Sequence, residues 1–492
     1  MKKNCCFLIL ITFFSCNVFK KSSFDPNEKY SSSQLQEDFS VLTKVLKSNH
    51  PSLYWYSSKD SVDNFFSATY RSLHDSLTQQ QFRKRVAWVI SKIHCGHTVV
   101  RSSKSYSEYY SKQKTKTFPL YLKVWDDSAA VIANLIKNDS ILKRGTPIIA
   151  INGVSVKEIV DSMSQLISGD GYTKIFKYQI ISFNFPAFYQ NAYGFSDSNY
   201  TIRYLDSAGK QNETICKNFE GKIDFLNTNQ QLLLGEVTRK KLRQFNLLAE
   251  RNMEIDTLSG TALISVNTFS KGKLIRFFSR SFKKIKQQNT KNVVLDLRLN
   301  SGGSVIACTR LSQYLVDKPF HVADTVAAYT RSFPYKKYIK PWLIYWLSMH
   351  ISGRRYEDKR IHFRYFEKHY FKPKKKNHFN GNIYVLTGGF TFSAATIVAG
   401  NLKGQHNVTI AGEETGGGAY GNSAMLLTTI ILPNTGLRVT LPLYRMVLND
   451  HLLKNGRGVL PDIEVKPSTE YIKNNEDAKL EKVIEIIRRK KP

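Results

Sequence analysis

Three segments of the 492-residue sequence carry residue types and spacings suited to nucleophilic chemistry on a carbonyl. The first, Asp296-Leu297-Arg298-Leu299-Asn300-Ser301-Gly302-Gly303, is an apolar strand that stops in paired glycines. Such glycines turn the backbone sharply and leave amide N–H groups unobstructed, as an oxyanion hole at Gly302 and Gly303 requires, although a plain turn uses the same pair. The second runs through Ile383-Tyr384-Val385-Leu386-Thr387-Gly388-Gly389-Phe390-Thr391-Phe392-Ser393-Ala394-Ala395. A buried strand ends in a glycine turn, and a helix of small residues starts at Ser393. A hydroxyl there sits among free amides and the positive end of the helix dipole, which favour developing negative charge. A helix N-cap serine has the same sequence appearance, so nucleophile and cap both stand at this point. The third, Gly412-Glu413-Glu414-Thr415-Gly416-Gly417-Gly418-Ala419-Tyr420-Gly421, is dense in glycine. That density is costly in chain entropy and marks the close approach of another backbone or a ligand. It lacks the Lys-Ser/Thr of a phosphate-binding loop, which argues against a nucleotide.

The elements that must position these groups alternate strand and helix patterns. Residues 262–266 and 293–298 read as strands around an amphipathic stretch at 271–287, which predicts an α/β layer structure. Earlier, residues 30–110 form a helical unit. A capping box Ser33-x-x-Gln36 precedes apolar positions at helical spacing, Asn49-His50-Pro51 stops that helix, and further helices are predicted at 62–73 and 79–93. From residue 115 to 235 the texture becomes mixed β. The segment Pro147-Ile148-Ile149-Ala150-Ile151-Asn152-Gly153 with Val156 to Val160 reads as strand, Asn-Gly turn and helix, and residues 172–255 carry no clear assignment. A last helix closes the chain within 475–492.

Taken together and in this order, the Asp-Leu-Arg-x-Asn-x-Gly-Gly strand, the Thr-Phe-Ser-Ala-Ala turn, the Gly-Glu-Glu-Thr-Gly-Gly-Gly loop and Gly458-Val459-Leu460-Pro461-Asp462-Ile463 resemble the catalytic domain of the S41-like tail-specific (C-terminal processing) serine peptidases. The resemblance implies a ClpP/crotonase-like α/β catalytic domain within a multidomain chain, placed at 250–470. It implies Ser393 as nucleophile and an oxyanion hole from the amide of Ala394 with that of Gly302 or Gly303. It implies polypeptide substrates, no cofactor and no metal. The strand–turn–helix at 147–160 similarly resembles a PDZ domain, whose members bind extended peptide ends by strand addition. One family branch activates its serine with a lysine in the stretch that reads Thr415-Gly416-Gly417-Gly418 here, and no lysine is present. Gly96-His97-Thr98 resembles instead the histidine segment of the tricorn-like and retinoid-binding-protein-like branch, which makes His97 the expected general base. Cys95 stands where relatives often carry aspartate. The glutamate that orients the histidine in that branch is also missing, leaving Glu413, Glu414 and Asp450 as candidate replacements. The rival reading is a catalytically inactive envelope lipoprotein that binds peptides or apolar ligands.

Composition sets the surroundings. The basic start, the apolar run Phe7-Leu8-Ile9-Leu10-Ile11 and Phe13-Phe14-Ser15-Cys16 predict a lipoprotein-type export signal over residues 1–16, with Cys16 lipidated and the chain facing the periplasm; the rival is simple secretion. Beyond it, Cys95, Cys216 and Cys308 are widely spaced, which fits neither a disulfide framework nor a metal site. The formal charge is +33, and residues 331–376 hold fourteen Lys or Arg against three acidic residues, interleaved with aromatics. Nucleic acid is an improbable partner for an exported chain, so this insert is expected to be either a solvated face or a grip on an anionic membrane surface. Nothing in the sequence fixes the oligomeric state.

Overall fold

The computed structural model describes residues 24–113, 116–194, 199–221 and 239–490. The expected export signal at 1–16, with Cys16, lies outside the described residues. The fold is mixed α/β in several packed units, as expected. Its centre is a six-stranded sheet in which Arg251–Asp256 pairs antiparallel with Thr261–Val266, followed by Asn292–Asp296, Asn382–Thr387, Val408–Gly412 and Ile463–Glu464, all parallel. Helices Leu274–Gln287 and Ala394–Leu402 make crossovers between neighbouring strands. Strands buried on both faces read as continuous apolar runs, which is why Val293, Val294, Leu295, Ile383 and Val385 have no exposed surface.

The N-terminal helices Ser32–Asn49, Lys59–Arg71 and Gln79–Ser91 share one apolar core with this sheet, through Leu42, Phe82 and Ile90 on one side and Val266 and Leu295 on the other. The capping box of the first helix is Ser31 with Gln34, two residues earlier than the sequence pattern predicts, and Gln36 instead donates to the Leu73 carbonyl. Buried Asp38 clamps that helix to the loop at 434–435 by accepting from the Asn434 and Thr435 amides and the Thr435 hydroxyl. A second core belongs to residues 118–216 and includes Phe118, Ile159, Phe185 and Tyr200. Within it the predicted strand, turn and helix appear as Ile148–Ile151, Val154–Ser155 and Val156–Ser164. The stretch left unassigned contains helices Ile175–Phe183 and Phe185–Tyr193 and the hairpin Tyr200–Leu205 with Gln211–Cys216.

The basic insert is woven into the unit built around the central sheet. Ile339–Lys340 pairs with Thr429–Ile430, Ile361–His362 pairs with Ala327–Ala328, and Ile339, Met349 and Phe366 are core side chains.

Candidate active site

Ser393 holds the position just before helix Ala394–Leu402 with φ +53°, and its side chain makes no capping hydrogen bond. A non-glycine residue in that region is strained by about 1–3 kcal/mol, a cost tolerated where function over-determines the backbone. The strain lifts Oγ off the helix end and aims it at His97: Nε2 lies 3.2 Å from Oγ across 296 positions of sequence. Of the two readings of this serine, the cap is therefore absent from the geometry.

Each residue of the histidine segment has a local task. Gly96 is needed because a Cβ there would lie 2.7 Å from the Phe392 ring, next to Ser393. Thr98 is buried, with its hydroxyl 2.9 Å from His50 Nε2, and Val100–Arg101 pairs with Arg438–Val439. The His97 ring packs on Phe392, whose other neighbour, Phe176, comes from the 118–216 unit. His94, by contrast, is engaged through Nδ1 with the Gly171 carbonyl and by ring contact with Tyr172. Burial lowers His97 to about 4, so the imidazole is neutral at neutral pH.

The paired glycines are distinguished by their hydrogen bonds. The Gly302 amide donates to Asn300 Oδ1 at 2.9 Å. The amides of Gly303 and Ala394 have no partner among the described residues. Gly303 is bracketed by the Phe269 amide donating to the Gly302 carbonyl and the Ser304 amide donating to the Phe269 carbonyl, so its own N–H points away from that bridge. Both glycines have positive φ, and a Cβ on Gly302 would sit 2.7 Å from the Ser393 Cβ. The glycine-rich loop closes the site from behind, since a Cβ on Gly417 would meet Thr396 Oγ1 at 2.3 Å and the Ser393 amide at 3.0 Å.

None of the three candidate orienting acids contacts His97. Glu413 is bound by Lys479. Burial by itself would raise the Glu413 carboxyl, but Lys479 and Lys123 hold it below its ordinary value. Glu414 accepts from Arg457 and from the Gly458 amide. Asp450 is exposed, with His451 as its neighbour. His97 Nδ1 is buried without a partner. Lys403, the nearest lysine after Ser393, is paired with Asp462. Cys95, Cys216 and Cys308 are free and buried.

Sequence reasoning passed over one ionisable group beside the site. Asp170, in Ser168-Gly169-Asp170-Gly171, accepts from the Gly96 amide at 2.8 Å and is 1% exposed. A lone acid flanked by glycines was the available signal.

Residues 260–465 match the family model for peptidase family S41. The fold is shared with the crystal structure of mature CPAF, at 13% identity and TM-score 0.63, covering 94% of this chain and 99% of that one. It is likewise shared with mature CPAF complexed with lactacystin, at 13% identity and TM-score 0.62, covering 93% and 98%. The photosystem II D1 C-terminal processing protease aligns at 14% identity over 92% of this chain and 97% of its own, with TM-score 0.42. No curated protein matches the chain by sequence.

Proposed function

We propose, from the match of residues 260–465 to the model of peptidase family S41, that the chain is a serine endopeptidase cleaving exported or unfolded polypeptides by acyl transfer in the bacterial cell envelope. The observation that carries this reading is the 3.2 Å approach of His97 Nε2 to Ser393 Oγ, with the serine in a strained, uncapped position. Ser393 Oγ attacks the substrate carbonyl carbon while its proton passes to His97 Nε2. The tetrahedral oxyanion takes hydrogen bonds from the amides of Gly303 and Ala394. The C–N bond then breaks, and His97 returns the proton to the leaving amine. Water, deprotonated by the same imidazole, releases the acyl group and restores the hydroxyl. An activity-based fluorophosphonate tests the assignment: wild type is labelled, whereas Ser393→Ala and His97→Ala are not. Labelling that survives Ser393→Ala would reject it.

The 118–216 unit serves, in this reading, as a PDZ-like docking module. Its four-stranded sheet ends in the strand Gln211–Cys216, to which an extended substrate adds as a further strand.

The membrane side of the proposal rests on helix Trp342–Ser352. Trp342, Tyr345 and Met349 face the core, while Leu343, Ile344, Leu347 and Ile351 point outward, with Ile351 76% exposed. Exposed Lys336, Lys337, Lys340, Arg354, Arg355 and Lys359 flank the helix. An outward apolar face with a cationic border fits the interface of an anionic bilayer. A second copy of the chain fits poorly, because a twofold contact would bring the two cationic borders together. Among the described residues no helix is long and apolar enough to cross a membrane, so this contact is peripheral and complements the lipid expected on Cys16. Ile344→Ser/Leu347→Ser should abolish flotation of a leaderless chain with vesicles containing phosphatidylglycerol while leaving labelling of Ser393 intact. Flotation equal to wild type would remove the membrane assignment, and concentration-dependent dimerisation abolished by the same changes would replace it with self-association.

A further inference from the structure

A neutral imidazole that accepts a proton at Nε2 carries its own hydrogen on Nδ1, and that N–H needs an acceptor to hold the ring in place. His97 Nδ1 is a buried atom with no such acceptor. On the segment packed against it, Asp170 presents the complementary defect. Its Oδ1 accepts from the Gly96 amide, one residue before the histidine, while its buried Oδ2 completes no hydrogen bond, neither to His97 Nδ1 nor in full geometry to the neighbouring Gly418 amide. The two segments are stitched together beside that contact by two bonds between His94 and Gly171, the Gly171 amide donating to the His94 carbonyl and the His94 ring reaching the Gly171 carbonyl. The opposite side of Asp170 is closed by the glycine-rich loop: a Cβ on Gly418 would lie 3.8 Å from the Asp170 Cβ. The carboxyl is thus held between the Gly96 amide and the glycine-rich loop, two loops that both reach the site.

Resting on the peptidase reading above, we infer that Asp170 is the positioning acid of this site: it fixes the His97 segment through its bond to the Gly96 amide, and its charge stabilises the imidazolium formed when Nε2 takes the Ser393 proton. The proton travels only between Ser393, His97 and the leaving group, and Asp170 stays ionised throughout. Glu413 and Glu414 are already committed to Lys479 and Arg457, whereas Asp170, bonded to the residue before His97, has a buried oxygen without a hydrogen bond. The titratable groups coupled to it are Tyr56 from the loop after the first helix and Cys95 from the histidine segment, which also carries His94 and His97, and none of its described contacts is an ion pair to a lysine or arginine. Burial, only partly offset by the Gly96 and Gly418 amides, raises the carboxyl to about 7, so its ionisation falls within the working range.

The test is the pH dependence of fluorophosphonate labelling and of kcat/KM on an unfolded protein substrate, for wild type and Asp170→Asn. The amide retains an oxygen for the Gly96 N–H but carries no charge. Wild type should gain rate through about pH 7. Asp170→Asn should lose about 100-fold or more in kcat/KM, and its acid limb should move down by at least one pH unit, since limbs of coupled groups belong to the pair. A purely structural role would lower the rate without moving the limb, and that result overturns the inference, as does a variant within threefold of wild type at every pH. Should Asp170→Asn not fold by circular dichroism, the wild-type profile decides alone: a rate independent of pH between 5.5 and 8.5 overturns the inference. Failure of wild type to label at any pH would instead sink the peptidase reading itself.

Discussion

Replacing Asp170 by asparagine should make the protein more stable at alkaline pH while making it a worse catalyst. The side chain is 1% exposed, and burial lifts its carboxyl from 3.8 to about 7. The sign follows from linkage. A carboxyl raised in the folded state contributes stability that is fully present below the unfolded value and is lost as pH rises through the folded value. Between about pH 4 and pH 7 the folded chain therefore loses on the order of 4 kcal/mol through this one group, at 1.36 kcal/mol for each pH unit separating the two values. Asparagine does not titrate, so it escapes the loss. Its amide leaves a buried N–H without an acceptor at the Oδ2 position, which takes back about 1–3 kcal/mol. The net expectation at pH 8 is stabilisation of about 1–3 kcal/mol, shrinking to nothing or reversing at pH 4.5. Urea unfolding followed by tryptophan fluorescence at the two pH values gives the variant-minus-wild-type difference directly. The depressed imidazole of His50, whose contribution runs the other way with pH, is common to both proteins and cancels. A variant destabilised equally at both pH values would refute the reasoning, because it would mean that the buried carboxylate carries no desolvation cost.

Further expectations concern the rest of the site. Ser393→Gly should abolish labelling and raise stability by about 1 kcal/mol, since glycine adopts φ +53° without strain; equal or lower stability in a thermal melt would count against a strained nucleophile. Gly303→Ala places a Cβ 2.5 Å from the Phe269 carbonyl carbon and the Ser270 amide, so kcat/KM should fall by about 10²–10³ through displacement of one oxyanion donor, checked by kinetics on a chromogenic peptide. Lys479→Met leaves Glu413 buried and unpaired and should cost about 3–5 kcal/mol at pH 7 by chemical denaturation. Because the Glu413 carboxyl is held low in the folded state, its contribution exists above the unfolded value and disappears as pH falls through the folded one, so the deficit should fade in acid. The same variant should label at Ser393 within threefold of wild type, and a larger fall would restore Glu413 as a candidate for orienting the histidine. Thr98→Val removes the hydroxyl that His50 contacts and should cost about 1–3 kcal/mol in a thermal melt, with no effect on stability counting against that contact.

Much of the machinery was legible before any coordinates, because it depends on local steric rules. Strands buried on both faces read as apolar runs at Val293 and Ile383, and a serine followed by small residues announces the start of a helix. The glycines at 302 and 417 stand where a Cβ would collide with Ser393 or its neighbours, and that at 303 where one would collide with Phe269 and Ser270. Other features were decided only by tertiary structure. The meeting of His97 with Ser393 was an expectation drawn from resemblance, and the distance between them arises from two units folding against one sheet. The choice of Gly303 over Gly302 as the free amide turns on which way one peptide faces next to Phe269, a matter of register. The capture of Glu413 by Lys479 and Glu414 by Arg457, and the setting of Asp170 under Gly96, pair residues 43 to 74 positions apart. A carboxylate looks the same in sequence whether it is consumed by an ion pair or left with an oxygen free, because its partner is set by long-range packing rather than by its neighbours along the chain.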